Sequence, residues 1–365
     1  ADIDIAFFKD SILMPSFANP HFHPEFGANR CALNYGEFTS WLKSVIVSSN
    51  KTPYPQENIK KDIDSMIKGG TTAFGAISSY GLDLEACADS PAKIVYFNET
   101  VGSNPAMGDS FFEEVMKRYE ESKKFASARF IPALSPHAPY STHPRLVERV
   151  IEFAKKDGAM ISTHFLESQG EKEWLNSNKG VMKRFFEDFF GQERSSFISS
   201  CEYIELFRDT KTLFIHSLYA DKNELQAIKN IGGEIVSCPR SNRLLNNARL
   251  NLNLLKHIGL EPLFATDGMS SNIDLDMLNE LKYLLFINYD LDIDTLAREA
   301  LFSATFRAHK ALGFNAGCLA RGYDADFLVS SLPIDFADSS NQHLDIILHS
   351  NVKNVYINGR IYGDS

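Results

Sequence analysis

The sequence is poor in the features that mark secreted, membrane-spanning and nucleic-acid-binding proteins. Its 365 residues include only five cysteines, widely spaced and without a C-x-x-C pair, so we expect no disulfide framework and a reducing compartment. No apolar run approaches the ~18 residues needed to span a bilayer, and the first residues lack the basic and apolar regions of a signal peptide. These absences predict a cytoplasmic protein without a membrane partner.

An excess of basic residues is missing as well. The 37 Lys and Arg residues stand against 47 Asp and Glu residues, giving a formal net charge of −10, which repels nucleic acids and anionic lipids. The remaining composition is that of a globular protein, with 44% apolar and 23% charged residues. We therefore expect a small-molecule substrate and no nucleic acid. The oligomeric state stays open, a homodimer included.

Short β-branched and aromatic segments recur along the chain, each followed by a loop and a stretch with helical periodicity, which is typical of parallel βα units. Eight strands are predicted, at Ile12–Asn19, Thr71–Ile77, Lys93–Asn98, Arg129–Leu134, Met160–Thr163, Thr212–His216, Glu234–Ser237 and Leu263–Thr266. Eight such units in one series predict an α/β protein with a closed (β/α)8 TIM barrel. We place the barrel at residues 18–314.

The segments between and after these strands complete the prediction. Helices are predicted at Ser110–Phe125, at Pro144–Lys156 with Ser141 or Thr142 as the cap, and at Ile293–Leu312, where Gly313 ends the helix. Short extended pieces follow at Ala325–Val329 and at Asn354–Tyr362, which contains an Asn358-Gly359 turn signal. We therefore predict a small β-sandwich-like appendage over residues 315–365, to which residues 1–17 contribute a lead-in and a remnant.

Five of the ten histidines lie at or just beyond the carboxyl ends of predicted strands. They are His21, His23, His137, His164 and His216. In a barrel these ends converge on the catalytic face, so residues far apart in sequence can surround one ion. Asp267 follows the eighth strand. Imidazoles with one carboxylate suit Zn²⁺, and imidazole also suits iron.

Each of these motifs alone has an ordinary structural explanation. His21 and His23 leave an extended segment on the same side, but an H-x-H pair is a weak signal. A histidine that ends a buried strand, like His216, is more often a satisfied core residue, and Asp267 can be an N-cap. The joint occurrence of these residues after strands one, five, six and eight is what favours a metal site.

Several segments together resemble the amidohydrolase superfamily, in the branch of adenine deaminases and chlorohydrolases. They are Asn19–His23, Ser135–Tyr140, His164 with Glu167, His216, and Ala265–Gly268. More narrowly, residues 21–26, 35–38 with Trp41, 75–81 and 239–245 resemble the aminodeoxyfutalosine deaminases of menaquinone biosynthesis. Superfamily members normally begin with strands of the small β domain, and most of these are missing here. We expect either an incomplete chain or a reduced half-domain.

The same resemblance separates the metal classes. Binuclear members carry a carbamylated lysine at the end of the fourth strand, where this sequence has Ile131–Ser135. One metal ion is therefore implied, Zn²⁺ first and Fe²⁺ as the alternative. The P-C-x-x-C signature of the zinc nucleoside deaminases is also missing, because Cys238 is followed by Pro239 and no second cysteine lies nearby.

The resemblance implies hydrolytic deamination of an adenosine-type nucleoside at C6, with release of ammonia. The implied metal ligands are His21, His23, His164 and Asp267. The resemblance further implies that Asp267 accepts the water proton, that Glu167 protonates the ring at N1, and that His216 orients the hydroxide and the leaving amine. The implied substrate is 6-amino-6-deoxyfutalosine, which is converted to futalosine.

Substrate-binding residues are less sharply defined. The candidates are His137, Glu25, Ser270, Arg240 and Arg243. The two arginines follow the seventh strand, where solvent exposure is the ordinary explanation and binding of the substrate's benzoate carboxylate the functional one; Arg30 and Arg145 are weaker candidates. Methylthioadenosine or S-adenosylhomocysteine deamination, s-triazine dechlorination and a non-catalytic barrel scaffold stay open as alternatives.

Overall fold

The computed structural model describes residues 5–27, 31–49, 54–333 and 339–363. Its strands, in chain order, are β1 (Ser11–Pro15), β2 (Phe17–Phe22), β3 (Thr71–Ser78), β4 (Lys93–Thr100), β5 (Phe130–Pro136), β6 (Ile161–Phe165), β7 (Thr212–His216), β8 (Glu234–Ser237), β9 (Leu263–Phe264), β10 (Phe327–Ser331), β11 (Asn351–Ile357) and β12 (Arg360–Ile361). Strands β2 to β9 form one parallel sheet in sequence order, and the other four form an antiparallel sheet. The predicted α/β barrel is confirmed.

Helices separate the barrel strands and cover their outer face. They are α1 (Phe38–Ser49), α2 (Gln56–Lys68), α3 (Leu84–Asp89), α4 (Gly108–Lys123), α5 (Pro144–Asp157), α6 (Gln169–Ser177), α7 (Val181–Phe190), α8 (Ser200–Leu206), α9 (Lys222–Asn230), α10 (Pro239–Asn246), α11 (Leu252–Ile258), α12 (Met277–Ile287), α13 (Ile293–Phe302), α14 (Ala308–Leu312) and α15 (Gln342–His349). Among the described helices, none combines the length and apolarity that crossing a bilayer requires.

Side-chain hydrogen bonds join the first and last strands of the barrel. The Asn19 side chain donates to Thr266 Oγ1 at 2.7 Å and accepts the backbone N–H of Thr266 at 3.1 Å. Just beyond, the backbone N–H of Asp267 donates to the carbonyl of His21 at 3.2 Å. These bonds fix the ends of β2 and β9 side by side, so the residues that follow both strands share one rim.

Alternation along each strand divides the core into two layers. In β7, Leu213 and Ile215 point into the barrel interior, while Phe214 between them packs outward against the helices. Small and β-branched side chains such as Ala18, Ala73, Val95 and Val236 contribute to the interior layer. The barrel is therefore a packed core whose polar residues gather at the carboxyl ends of the strands.

The antiparallel sheet is attached to the barrel through a buried ion pair. Lys93 begins β4 and is 3% exposed, and its ammonium donates to the carboxylate of Asp326, just before β10. The other Asp326 oxygen accepts the backbone N–H of Asn358 at 2.8 Å. The predicted turn at 358–359 is confirmed, with positive φ angles at both residues.

Three predicted elements differ from the structure. The segment Ile12–Asn19 is not one strand, because β1 pairs with β10 in the small sheet and the chain joins the barrel only from Phe17. The long helix predicted at 293–312 is interrupted by a π-helical turn over Ser303–Arg307, where the Thr305 hydroxyl bonds to the Leu301 carbonyl. Helix α5 is capped by His143, whose ring accepts the N–H of Arg145, and not by Ser141 or Thr142.

Candidate active site

Three imidazoles and one carboxylate meet at the carboxyl rim of the barrel. His21 lies in β2, His23 just after it, His164 in β6 and Asp267 beyond β9. The Nε2 atoms of His21 and His23 lie 3.5 and 3.7 Å from Asp267 Oδ1, and His23 Nε2 lies 3.2 Å from His164 Nε2. All four side chains are at most 12% exposed. The four predicted ligands thus face one point.

Burial and the charges of neighbouring side chains shift the pKa values of three members of this cluster. It lowers the pKa of His23 to about 3, and it lowers the pKa of His164 well below the usual range, with neighbouring histidines adding to the effect. Burial opposes ionisation of Asp267, but the surrounding imidazoles hold its pKa well below the usual range. At neutral pH His23 and His164 therefore present unprotonated ring nitrogens and Asp267 an ionised carboxylate, the forms that ligate metals.

The donor atoms of this cluster fit a divalent cation. Both ring nitrogens of His21 and Nδ1 of His23 are buried without a hydrogen-bond partner among the described residues. Nδ1 of His164 lies 3.2 Å from the carbonyl of His137 and donates to it, so the Nε2 lone pair faces His23. A metal ion stabilises nitrogen and oxygen atoms that are buried without a hydrogen-bond partner. Three imidazoles with one carboxylate suit Zn²⁺ or Fe²⁺.

Two side chains of α10 hold the catalytic candidates in place. The Ser241 hydroxyl donates to Asp267 Oδ2 at 2.8 Å, and the Asn242 side chain bonds to Nδ1 of His216 at 3.0 Å. Sequence reasoning missed both residues, although they stand beside Arg240, which it singled out. The available signal was their place directly after β8, on the same rim as the ligands.

The backbone at this rim adopts an uncommon conformation. Leu166, His216 and Asp267 have φ angles of 46°, 68° and 61°, a region that non-glycine residues rarely occupy. Each residue lies at or just beyond the end of a barrel strand, and the left-handed turn redirects the chain there. Strain of this kind persists where the surrounding structure enforces it, and it clusters at functional sites.

Glu167 stands next to the cluster in a form suited to donating a proton. It is 5% exposed, and its Oε1 lies 3.5 Å from Nε2 of His216. Burial raises the pKa of Glu167 well above the usual range, and the charges of Asp267 and Glu171 raise it further. Burial lowers the pKa of His216 to about 4. These shifts favour a protonated carboxyl group on Glu167 beside a neutral imidazole on His216.

A cavity of about 520 Å³ opens from the cluster to the surface, within the size range of small-molecule sites. Its inner end includes His23, His164, Glu167, His216 and Asp267. The remaining lining includes an apolar group, with Trp41, Ile46, Phe185, Phe186 and Phe190, and a polar group, with Ser79, Glu99, Ser103 and Arg118. The cavity can therefore hold a ligand that reaches from the cluster to an apolar or charged end.

The cavity also tests the predicted substrate-binding residues. His137 and Ser270 line it. Glu25 does not, because its carboxylate accepts backbone N–H groups of the 79–82 loop. These positions support His137 and Ser270 as contact residues, and they give Glu25 the task of shaping the loop.

The predicted arginines lie outside the cavity. Arg240 is buried, and its guanidinium bonds to the carboxylates of Glu280 and Asp274. Because its charge is compensated there, Arg240 is not placed to bind a substrate carboxylate. Arg243 and Arg145 are exposed, and neither lines the cavity. Arg30 lies outside the described residues.

Comparisons with known proteins agree with this geometry. A model of the amidohydrolase family matches residues 12–362. An aminodeoxyfutalosine deaminase from a Nitratiruptor species is 42% identical over 354 residues, which cover 96% of this chain and 87% of the relative. An adenosine deaminase from Helicobacter pylori is 34% identical, covering 97% of this chain and 87% of the relative. The crystal structure of Helicobacter pylori aminofutalosine deaminase in complex with methylthio-coformycin superposes with a TM-score of 0.92 at 33% identity, covering 98% of this chain and 88% of that one.

Proposed function

We propose that this chain, which belongs to the amidohydrolase family, hydrolytically removes the C6 amino group of an adenosine-type nucleoside and releases it as ammonia. The observation that carries the proposal is a buried Glu167, whose pKa burial raises, beside a cluster of three imidazoles and a carboxylate that lines a cavity of nucleoside size. A non-catalytic scaffold is not favoured, since the donor atoms of all four candidate ligands converge.

The roles of the residues follow from their protonation states. His21, His23, His164 and Asp267 would hold one divalent cation. When bound, the cation supplies the acidification of water that makes a nucleophile available at neutral pH. Asp267, ionised before reaction, accepts the first proton that the attacking water loses and passes it to the departing amine, which leaves as ammonia. The second proton of the water replaces the one that Glu167 gives to the ring.

Addition at C6 destroys the aromaticity of the ring, so a proton must reach the ring nitrogen as the bond forms. Burial raises the pKa of Glu167 and so favours the protonated form that can supply this proton. His216, neutral and fixed by Asn242, lies beside Glu167 and orients the reacting oxygen and the departing amine. Glu167 therefore acts on the ring nitrogen, and His216 acts on the oxygen and the amine at C6.

The proposed substrate is 6-amino-6-deoxyfutalosine, because an aminodeoxyfutalosine deaminase and an aminofutalosine deaminase are among the relatives of this chain. The cavity has room for the aromatic end of this molecule against Phe185 and Phe186. The same apolar wall suits the methylthio group of methylthioadenosine, the second candidate substrate. Both candidates share the reacting ring and differ in the tail.

A spectral screen tests the proposal directly. Purified metal-loaded protein is incubated with adenosine, methylthioadenosine, S-adenosylhomocysteine and aminodeoxyfutalosine, and the conversion of the adenine to the hypoxanthine chromophore is followed while ammonia is measured. We expect equimolar ammonia, with the highest kcat/KM for aminodeoxyfutalosine. Absence of ammonia from all four nucleosides would contradict the proposed reaction.

Arg118 is the candidate partner of the substrate carboxylate. Among the described residues it is the one Lys or Arg side chain that lines the cavity, and its Nε is buried without a partner. We expect Arg118→Ala to lower kcat/KM for aminodeoxyfutalosine by about 10- to 150-fold, the equivalent of about 1.5–3 kcal/mol for a hydrogen bond to a charged group. Methylthioadenosine, which has no carboxylate, should lose far less.

The exposed Arg145 provides the control, since Arg145→Ala removes the same charge outside the cavity. This variant should leave both substrates unchanged. Equal losses on the two substrates in Arg118→Ala would show instead that Arg118 supports the cavity wall, through its bonds to the carbonyl oxygens of Ser78 and Glu99.

A further inference from the structure

Glu99, near the end of β4, is a buried carboxylate to which the proposed reaction gives no task. Its side chain is 4% exposed and lines the cavity. Oε2 accepts a hydrogen bond from the Ser79 hydroxyl at 2.5 Å. Oε1 has no hydrogen-bond partner in the part of the chain that the structure describes. Because a buried acceptor without a donor costs free energy, this oxygen marks a place where a ligand can supply the donor.

Neighbouring groups hold this carboxylate in position. The guanidinium of Arg118 donates to the backbone carbonyls of Glu99 and Ser78, which fixes the adjacent ends of β4 and β3. Glu25 accepts the backbone N–H of Ser79 at 2.7 Å and so fixes the residue whose hydroxyl bonds to Glu99. The free oxygen is therefore preorganised, as a recognition group must be.

A neutral donor fits this position better than a second metal ion. Glu99, His137 and His164 do place potential ligand atoms within 4.8 Å of one another. However, Nδ1 of His164 donates its proton to the carbonyl of His137 and has no lone pair to offer. Nδ1 of His137 is engaged with the Ser141 hydroxyl at 2.6 Å, so that only Nε2 of this ring could bind an ion. A ligand hydroxyl needs only the free oxygen of Glu99.

The location of this oxygen matches the shape of a nucleoside. His164 turns Nε2 towards His23 at 3.2 Å, and its other ring nitrogen lies 3.8 Å from Glu99 Oε1. The His164 ring therefore stands between the carboxylate and the metal-facing nitrogen, and the width of that ring plus 3.8 Å is the greatest distance that can separate the two. A purine that reacts at C6 beside the cluster spans a gap of this size with its two rings. The sugar attached to the far ring then lies beside Glu99.

We propose that Glu99 accepts a hydrogen bond from a ribose hydroxyl of the substrate and thereby selects ribonucleosides over deoxynucleosides. The identity of the reacting base rests on the function proposed above. A nucleoside without the hydroxyl leaves the carboxylate buried and unpaired. Sites that hydrogen-bond a substrate hydroxyl in this way have a much lower kcat/KM for the analogue without that hydroxyl. Glu99 is thus a specificity-determining residue that takes no part in proton transfer.

Kinetics on nucleosides that differ in their sugar hydroxyls test this assignment. Wild type and Glu99→Gln are compared on adenosine, 2′-deoxyadenosine and 3′-deoxyadenosine. In the wild type, kcat/KM should be about 10- to 100-fold lower for the form that lacks the contacted hydroxyl. Glu99→Gln should lower kcat/KM for adenosine by a similar factor. For the deoxynucleoside that lacks the contacted hydroxyl, it should change kcat/KM by less than about threefold. Ser79→Ala, which releases Oε2, should give the same pattern with a smaller loss.

The control is Glu113→Gln, an equal loss of charge at an exposed position of α4, which should change none of the three rates. Equal losses on all three nucleosides in Glu99→Gln, or a wild type that does not distinguish them, would overturn the assignment.

Calorimetric binding of inosine and of its two deoxy forms separates this proposal from the reaction, because none of them is deaminated. A hydroxyl preference in binding that Glu99→Gln abolishes supports the contact, even if no nucleoside releases ammonia and the proposed function fails. Ammonia release together with equal binding of all three nucleosides supports the function and overturns the contact.

Discussion

Replacing Glu167 by Gln should lower kcat by about 10²- to 10⁴-fold while bound metal stays unchanged, because a positioned general acid contributes a factor of this size. The amide has the same shape and retains hydrogen-bonding groups. It has no carboxyl proton to deliver to the ring nitrogen. Steady-state kinetics with aminodeoxyfutalosine and metal analysis of the same preparation measure the two quantities together.

An exposed carboxylate on the following helix provides the comparison. Glu173→Gln, in α6, removes a negative charge at an exposed position and should leave kcat within experimental error. If Glu167→Gln raised KM and left kcat unchanged, Glu167 would be a binding residue and the proton would come from another group.

Removing one imidazole should empty the metal site. We expect His164→Ala to contain only a small fraction of the metal found in the wild type and to lose nearly all activity, because one of four protein ligands is missing. Loss of a mere hydrogen-bond partner of a ligand already weakens metal binding by roughly 10- to 100-fold. Metal content is measured on dialysed protein by elemental analysis, with a thermal melt to show that the variant is folded.

His257 serves as the matched histidine, since it lies exposed on α11, away from the cavity. His257→Ala should retain the full metal content. A folded His164→Ala protein that kept its metal and its activity would contradict the assignment of His164 as a ligand.

The convergence of the site could be predicted because it follows from topology. Parallel strands place all their carboxyl ends on one rim, so His21, His164 and Asp267 had to be neighbours once the eight-strand series was recognised. Spacing along the sequence was sufficient for this step, and no side-chain detail entered it.

The hydrogen-bond partners of these residues could not be predicted in the same way. Arg240 follows a barrel strand just as the ligands do, yet its guanidinium bonds to Glu280 and lies outside the cavity. The sequence around Arg240 carries no sign of a partner forty residues away. The left-handed backbone at His216 and Asp267 is equally silent in sequence, because nothing there resembles the glycine that normally marks such a turn.

The strand boundaries show a second limit. The residues of β1 and β2 read as one extended segment, but β1 pairs with the small sheet and β2 with the barrel. Both strands satisfy the same local pattern, and only the pairing partner distinguishes them. A change of sheet within a continuous extended segment is therefore determined by tertiary contacts and not by the local sequence.

The ion pair of Lys93 with Asp326 bears on how the chain can be divided. The border predicted near residue 314 follows the change from helical to short extended segments. The ammonium on the barrel side and the carboxylate beyond the border nevertheless neutralise each other in the interior. Separating the two parts would leave each with an uncompensated buried charge, which is strongly destabilising. We therefore expect the two sheets to unfold together as one cooperative unit, although they differ in architecture.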